Sequence, residues 1–386
     1  MSVAVVHSRV VLDAGQMPEL RDRLARSRWP GAHASDWELG VPESWLRELV
    51  ADWARFDLGA FQARLDALDH LLVDVGGQRV HAVQARGQGP APLPLLLTHG
   101  WPGSFCEYLD VLPLLTDPAS HGGDAADAFD VVVPSLPGFG FSSAPPAGGM
   151  TARQVAQLWH RLMADGLGHA RYVAHGSDLG AGVTAWLART HPEAVAGIHL
   201  ATPGLPAPPQ PWSAAEAEHL AEVTAWAAEE GGYAHQQSTR PATLGAALED
   251  SPAGLAAWIA EKVTAWSSTD REGRPAFDRD LLLGTLTLYW TTRTITTSLL
   301  PYWAYRHQPD TVLPTGDPSP VPTAVSMFGG ERVPFPKPPR ELAERFFTVT
   351  AWAEHDRGGH FPAVAEPELL AKTLRDVFRP SRRAPP

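Results

Sequence analysis

Cysteine is nearly absent from this chain. The single thiol of Cys106 excludes any internal disulfide and any thiolate metal cluster, so nothing calls for an oxidising compartment, and Cys106 itself reads as a small buried hydrophobe. Basic charge is scarce as well: 31 Lys and Arg stand against 43 Asp and Glu, a formal net charge of −12, whereas phosphate recognition needs clustered cations. The run Arg21, Arg23, Arg26 and Arg28 alternates with apolar residues and reads as the solvated face of a helix. Long apolar runs are missing too. No stretch reaches the ~20 residues of a membrane span, and the N-terminus has no basic, apolar and cleavage-site succession of a secretion signal. A cytoplasmic protein without nucleic-acid or membrane partners is expected, and a homodimer is the one macromolecular assembly left open. No internal repeat is found, and the histidines show no spacing that would hold a metal.

What the chain does have is apolar bulk, 44% of 386 residues with 14 Trp, enough for one large α/β core and an added subdomain. Residues 17–61 carry apolar side chains at helical intervals, including Trp29, Trp37, Trp45 and Trp53, and predict a strap of helices across a larger core, bounded at 1–70. From Leu71 the pattern turns to strands. A hairpin is expected around Gly76-Gly77, a buried strand in LPLLLTHG, a helix over 106–115 and a strand over 129–134. Apolar runs alternating with helices indicate a mostly parallel central sheet covered on both faces, its first part over 71–202. The proline-dense PGLPAPPQPW marks an exit from the sheet into helices at 214–230, 253–267 and 280–297, an inserted helical cap over 203–317. The core returns over 318–386 with strands at 321–328 and 346–352 and a helix at 367–378, before an end, RPSRRAPP, expected to fray.

The most informative segment is RYVAHGSDLGAG, residues 171–182. A β-prone Tyr172-Val173-Ala174 leads through small residues into a helix expected at 181–191, the layout of a strained strand-to-helix elbow that lifts one side chain above the sheet edge. Such an elbow needs small residues two positions before and two after its apex. Centring on Asp178 places Gly176 and Gly180 there; centring on Ser177 places His175 and Leu179. The apex is therefore a carboxylate, and a carboxylate nucleophile suits attack at alkyl carbon.

Partners follow in the order nucleophile, acid, histidine that α/β hydrolases use. Glu331 ends a strand through Gly329-Gly330, and His360 stands in the glycine-rich HDRGGHFPA after another. In this arrangement Asp178 attacks carbon to form an ester, and His360, supported by Glu331, takes a proton from the water that hydrolyses it. The oxyanion needs backbone donors, for which the amides of Trp101, in HGWPGS, and Leu179 are candidates; Pro102 has no N–H.

Together these segments resemble the microsomal-type epoxide hydrolases of the α/β-hydrolase superfamily. The resemblance runs nearly the whole length, through LARSRWP and WLRELVADWARFD, HGWPGS, VVVPSLPGFGFS, the elbow, the cap and RGGHFPAVAEP. It implies an epoxide hydrolase that needs no cofactor, with Asp178 as nucleophile, His360 as base and Glu331 as its acidic partner. It also implies two cap tyrosines hydrogen-bonding the epoxide oxygen, matched here by Tyr233 and Tyr302, with water as co-substrate; the apolar residues around the site lead one to expect a hydrophobic, bulky epoxide. An alkoxide leaves poorly without such donors.

The family often has Gly-Gly-Asp-Trp-Gly at the elbow, whereas this chain reads Gly-Ser-Asp-Leu-Gly over 176–180; Leu179 removes an aromatic wall beside the nucleophile. The microsomal membrane anchor has no counterpart, which fits a soluble bacterial-type relative, and the Ala-, Pro- and Arg-rich composition suggests a high-GC bacterium, with a role in detoxification or specialised metabolism. Asp317 competes with Glu331, and Tyr108, Tyr289 and Tyr305 compete with the cap pair. His99 reads as a structural histidine of the oxyanion loop, and Pro137-Gly138-Phe139-Gly140-Phe141 as a tight loop at the pocket rather than a phosphate cradle. The alternatives are a haloalkane dehalogenase, a serine esterase using Ser177, and a hydrolase fold repurposed for a non-hydrolytic biosynthetic step.

Overall fold

The apolar runs pair into one nine-stranded sheet in a computed structural model that describes residues 3–31, 36–269 and 275–382. The strands are β1 (Ala4–His7), β2 (Asp69–Val75), β3 (Gln78–Ala85), β4 (Leu93–Thr98), β5 (Phe129–Pro134), β6 (Tyr172–Ser177), β7 (Val195–Ala201), β8 (Ser319–Gly329) and β9 (Phe347–Gly358). Their spatial order is β1-β2-β3-β5-β4-β6-β7-β8-β9. The β1-β2, β2-β3 and β3-β5 pairs are antiparallel and the other five parallel, so the central sheet is mostly parallel. All six residues of β6 are buried, as a strand covered on both faces requires. At the β2-β3 turn Gly76 and Gly77 take φ of 65° and 86°, the left-handed conformation a two-residue hairpin demands.

Between β7 and β8 the chain leaves the sheet for helices at Ala214–Glu230, Gly232–Thr239, Pro241–Asp250, Pro252–Trp266, Arg279–Thr292, Ile295–Ser298 and Leu300–His307. The N-terminal helices Met17–Ala25, Glu43–Arg55 and Leu58–Asp66 pack against this insertion. Trp53, fully buried, donates its indole N–H to Thr287 Oγ1 at 2.9 Å, and Arg279 pairs with Asp52 at 2.7 Å. The Phe61 ring occupies the space a side chain at Gly284 would need, 2.4 Å from that Cβ position. The strap thus holds the inserted helices as well as bordering the sheet.

Several local expectations are corrected. The strap contains a strand, β1, because Ala4–His7 pairs with β2 at the sheet edge. The helix expected at 280–297 ends at Thr292, where Arg293 turns left-handed (φ 55°). In TTRTITTS the threonine hydroxyls bond backbone carbonyls, Thr292 Oγ1 to Leu288 O at 2.6 Å and Thr297 Oγ1 to Gly138 O at 2.6 Å, and this competes with continuation. The helix expected at 106–115 divides into a 3₁₀ turn, Phe105–Tyr108, and a helix, Val111–Thr116. β9 continues six residues past the expected 352, to Gly358. The C-terminal run is held rather than frayed through Arg382: Arg379 pairs with Asp127 at 2.6 Å and Arg382 donates to Asp127 O at 2.7 Å. Residues 383–386 lie outside the described residues.

Candidate active site

Asp178 stands at the junction of β6 and the Leu179–Thr190 helix with φ 52° and ψ −126°, a conformation non-glycine residues adopt only when the surroundings impose it. Those surroundings are backbone. A Cβ on Gly176 would lie 2.1 Å from Gly180 O, and one on Gly180 would lie 2.0 Å from Thr98 O on the neighbouring strand. Gly100 is required as well, since its Cβ would lie 2.4 Å from Asp178 Oδ1. Gly180→Ala is therefore expected to cost about 3 kcal/mol or more by overpacking against β4, measured as a lowered urea midpoint. A stability unchanged within error would remove the steric account of the elbow.

The carboxylate is held from two sides. The Trp101 N–H donates to Asp178 Oδ1 at 2.8 Å, and His360 Nε2 lies 3.2 Å from Oδ2. Leu179 contributes the first amide of its helix, one with no intrahelical acceptor. His360 is set by a loop in which Gly358 and Gly359 have φ of 104° and 58° and which passes so close to the end of the Pro252–Trp266 helix that a Cβ on Gly359 would lie 2.5 Å from Ser268 N. Its amide bonds Trp266 O at 2.9 Å, and its ring stacks on Phe335 at 4.8 Å and 24°. Glu331 is buried beside the same helix end and bridged to Ser268. Burial pushes its carboxyl above the usual range, and Oε1 has no hydrogen-bond partner. Asp317, its competitor, is exposed before the start of β8, whereas Asp178 and Glu331 follow the ends of parallel strands at the opposite edge of the sheet.

Across the cavity Tyr233 lies parallel to the Trp101 indole (5.6 Å, 11°), and Tyr302 meets both rings edge-on, 6.0 Å from Trp101 and 5.9 Å from Tyr233. Burial first, and the nearby Asp178 charge among further causes, pushes both phenols above their ordinary range, so they stay protonated donors. Two competing tyrosines are occupied elsewhere, Tyr108 on Thr98 O (3.1 Å) and Tyr289 on Gly103 O (3.3 Å), while Tyr305 lines the same cavity but is 56% exposed. Asp178, His360, Tyr233 and Tyr302 line one cavity of about 750 Å³, with Leu179, Met150, Trp186 and Phe335 among its apolar walls.

A family model described as "Epoxide hydrolase N terminus" matches residues 6–108, and one described as "alpha/beta hydrolase fold" matches 94–231. A Stigmatella aurantiaca protein named "Putative epoxide hydrolase" is 40% identical over 97% of this chain and 84% of its own length. "Epoxide hydrolase 1" of Sus scrofa is 30% identical over 93% and 85%. The chain belongs to the epoxide hydrolase family. Solved structures agree: this epoxide hydrolase superposes on that of Aspergillus niger with a TM-score of 0.84 at 27% identity, covering 98% of this chain and 97% of the other. For the juvenile hormone epoxide hydrolase of Bombyx mori the TM-score is 0.82 at 28% identity, covering 99% and 95%.

In this epoxide hydrolase Ser177 is buried beside Tyr108 and is not among the cavity-lining residues, which leaves a serine esterase without its nucleophile. Leu179 offers no side-chain N–H where a dehalogenase needs a halide donor. Burial pushes the Cys106 thiol up to about 12, so it remains an inert hydrophobe. His99 is neutral and structural: burial lowers it to about 4, Nδ1 faces Gly100 O at 3.0 Å, and Nε2 accepts from the Leu136 N–H at 3.2 Å.

Sequence reasoning missed Glu107. Its carboxyl fills the space beside Gly103, 1.2 Å from where a Cβ there would stand, and burial reinforced by Asp178 pushes it well above the carboxylate range. The one available signal was a glutamate inside the apolar FCEYLDVLPLL. The described residues also bring His160, His191 and Glu193 within metal-ligand reach. The two imidazoles stack at 3.8 Å and 8°, so their in-plane lone pairs run parallel instead of converging on one ion, and no residue of this trio lines the cavity.

Proposed function

We propose that this epoxide hydrolase works through a covalent ester on Asp178. The observation that carries the reading is one carboxylate shared between the Trp101 amide and His360 Nε2, at 2.8 and 3.2 Å, opposite two protonated phenols. Oδ2 of Asp178 attacks an epoxide carbon, the ring C–O bond breaks, and Tyr233 and Tyr302 hydrogen-bond the departing oxygen, which takes the one proton of Tyr233. Oδ1 stays on the Trp101 N–H and becomes the ester carbonyl oxygen. His360 then takes a proton from a water that attacks Asp178 Cγ, while the Trp101 and Leu179 amides stabilise the oxyanion. Glu331, whose buried Oε1 has no partner, gains a charged neighbour when His360 becomes imidazolium. Collapse passes the imidazolium proton to the departing alkoxide and releases the vicinal diol, and the proton left on the Asp178 carboxyl goes to water, matching the one the phenol regains.

The substrate we propose is a bulky, hydrophobic epoxide, because a cavity of about 750 Å³ with mostly apolar walls lies in the range of drug-sized ligands. We further propose the division into strap (1–70), core (71–202 and 318–386) and cap (203–317), with the two tyrosines supplied by the cap and the nucleophile by the core. One turnover in oxygen-18 water, with enzyme in excess, tests the ester. The first diol is expected to be unlabelled because its new oxygen comes from Asp178, and label in that diol would mean direct attack by water.

A further inference from the structure

Lys262 sits on the Pro252–Trp266 helix with only 8% of its surface exposed. Its Nζ lies 2.8 Å from Glu261 Oε2, 5.0 Å from the centroid of the Tyr233 ring and 5.9 Å from that of Trp266. A lysine is rarely buried without purpose, since its ammonium loses hydration and its long side chain loses freedom. The ion pair with Glu261 offsets the first cost; the aromatic neighbours show where the charge is directed. Tyr233 is a partition. One side of it lines the epoxide cavity, and it also lines a separate pocket of about 260 Å³ with Lys262, Glu261, Glu229 and Glu230.

We propose that Lys262 is a positioning residue for ring opening, its ammonium stabilising Tyr233 as the phenol gives its proton to the leaving oxygen. The proposal rests on the ester mechanism above. In that step the Asp178 oxygen bonds to carbon, the epoxide C–O bond breaks, and the O–H proton of Tyr233 passes to the oxygen that leaves carbon. Tyr233 is left as a phenolate, to be reprotonated from water before the next cycle. Attraction between a cation and a neutral ring becomes attraction to a full negative charge as the proton moves, so Lys262 stabilises the transition state more than the ground state. Glu261 tempers this effect and orients the ammonium. Hydrolysis of the ester, which proceeds through His360, draws nothing from Lys262.

The test separates the two half-reactions in the full chain by stopped-flow tryptophan fluorescence and quenched-flow mass analysis with a styrene-type epoxide. Lys262→Met is expected to slow formation of the alkyl-enzyme about tenfold and to leave its hydrolysis unchanged, while Lys262→Arg, which keeps the charge, restores most of the rate. The loss should shrink for epoxides with electron-withdrawing substituents, which need less help from an acid. Glu261→Gln keeps the lysine and removes its counter-ion; alkylation is expected to be as fast or faster. Equal rates of alkylation in Lys262→Met and the parent overturn the proposal, as does equal slowing of both steps or slowing by Glu261→Gln. If Lys262→Met does not fold, the Glu261→Gln result decides by its sign. If the unchanged protein forms no alkyl-enzyme, the ester mechanism falls and takes this role with it.

Discussion

A His360→Gln enzyme is expected to accept the epoxide and keep it. Because ring opening expels no leaving group, the intact mass should rise by the full mass of one substrate molecule per chain. The present geometry explains why loading survives. Asp178 is oriented by the Trp101 amide at 2.8 Å and by the elbow's backbone, neither of which depends on the imidazole. In the proposed mechanism His360 alone supplies the base, its Nε2 3.2 Å from Asp178 Oδ2 and its ring fixed between Trp266, Phe335 and Phe361. Loss of such a base costs roughly 10²- to 10⁴-fold, so steady-state turnover should fall by that factor while the adduct accumulates. Asp178→Asn provides the control and should gain no mass. A His360→Gln protein that loses turnover yet stays unmodified would show that the histidine acts before any ester exists.

The second large effect is on stability in acid. His81, His99, His175 and His199 are fully buried and held neutral, with burial as the leading cause in each. Three of them face another histidine: His175 Nδ1 lies 2.8 Å from His199 Nδ1, and His81 Nε2 lies 2.9 Å from His70 Nδ1. Their folded-state values lie below the ordinary 6.5, with His99 near 4 and His175 near 3. The unfolded chain therefore binds more protons in acid, and the stability these groups allow is present above pH 6.5 and lost as pH falls below it. Glu107 and Glu331 have the opposite sign, because burial raises both and makes the folded state bind the extra protons as pH falls toward 4.5. Four histidines against two carboxyls leave about two net protons, and at about 1.4 kcal/mol per proton per pH unit the slope is roughly 3 kcal/mol per unit between pH 6 and 5. A typical margin of ~5–15 kcal/mol would be exhausted within a few units. Urea unfolding at pH 7.5, 6.5, 5.5 and 5.0 measures the slope, and a flat profile over that interval would contradict the assignment of buried neutral histidines.

Much of the architecture was legible because it is written in short-range pattern. The spacing of Gly176 and Gly180 around Asp178 selects the elbow register since the clashes involved are with the chain a few residues away and with the adjacent strand. The apolar runs of β4 and β5 read as covered strands, and the start of β6 as β-prone, for the same local reason. Where the pattern was weak, reading failed. β1 is four residues with three exposed, an edge strand whose existence depends on β2 being there to pair with it. The break at Arg293 depends on threonine hydroxyls finding carbonyls, including Gly138 O, 159 residues away.

The amino-acid order by itself determined the fold class, the family and the identity of the elbow carboxylate, because periodicity, glycine spacing and chain order are properties of neighbouring residues. Only the folded chain decided which groups share an environment. His175 and His199 become partners through the β6-β7 register, Glu107 comes beside Gly103, and Lys262 comes over Tyr233 through helix packing. Burial and electrostatic proximity arise between residues distant in sequence, so the electrostatic surroundings of this site exist only once the sheet and the inserted helices have met.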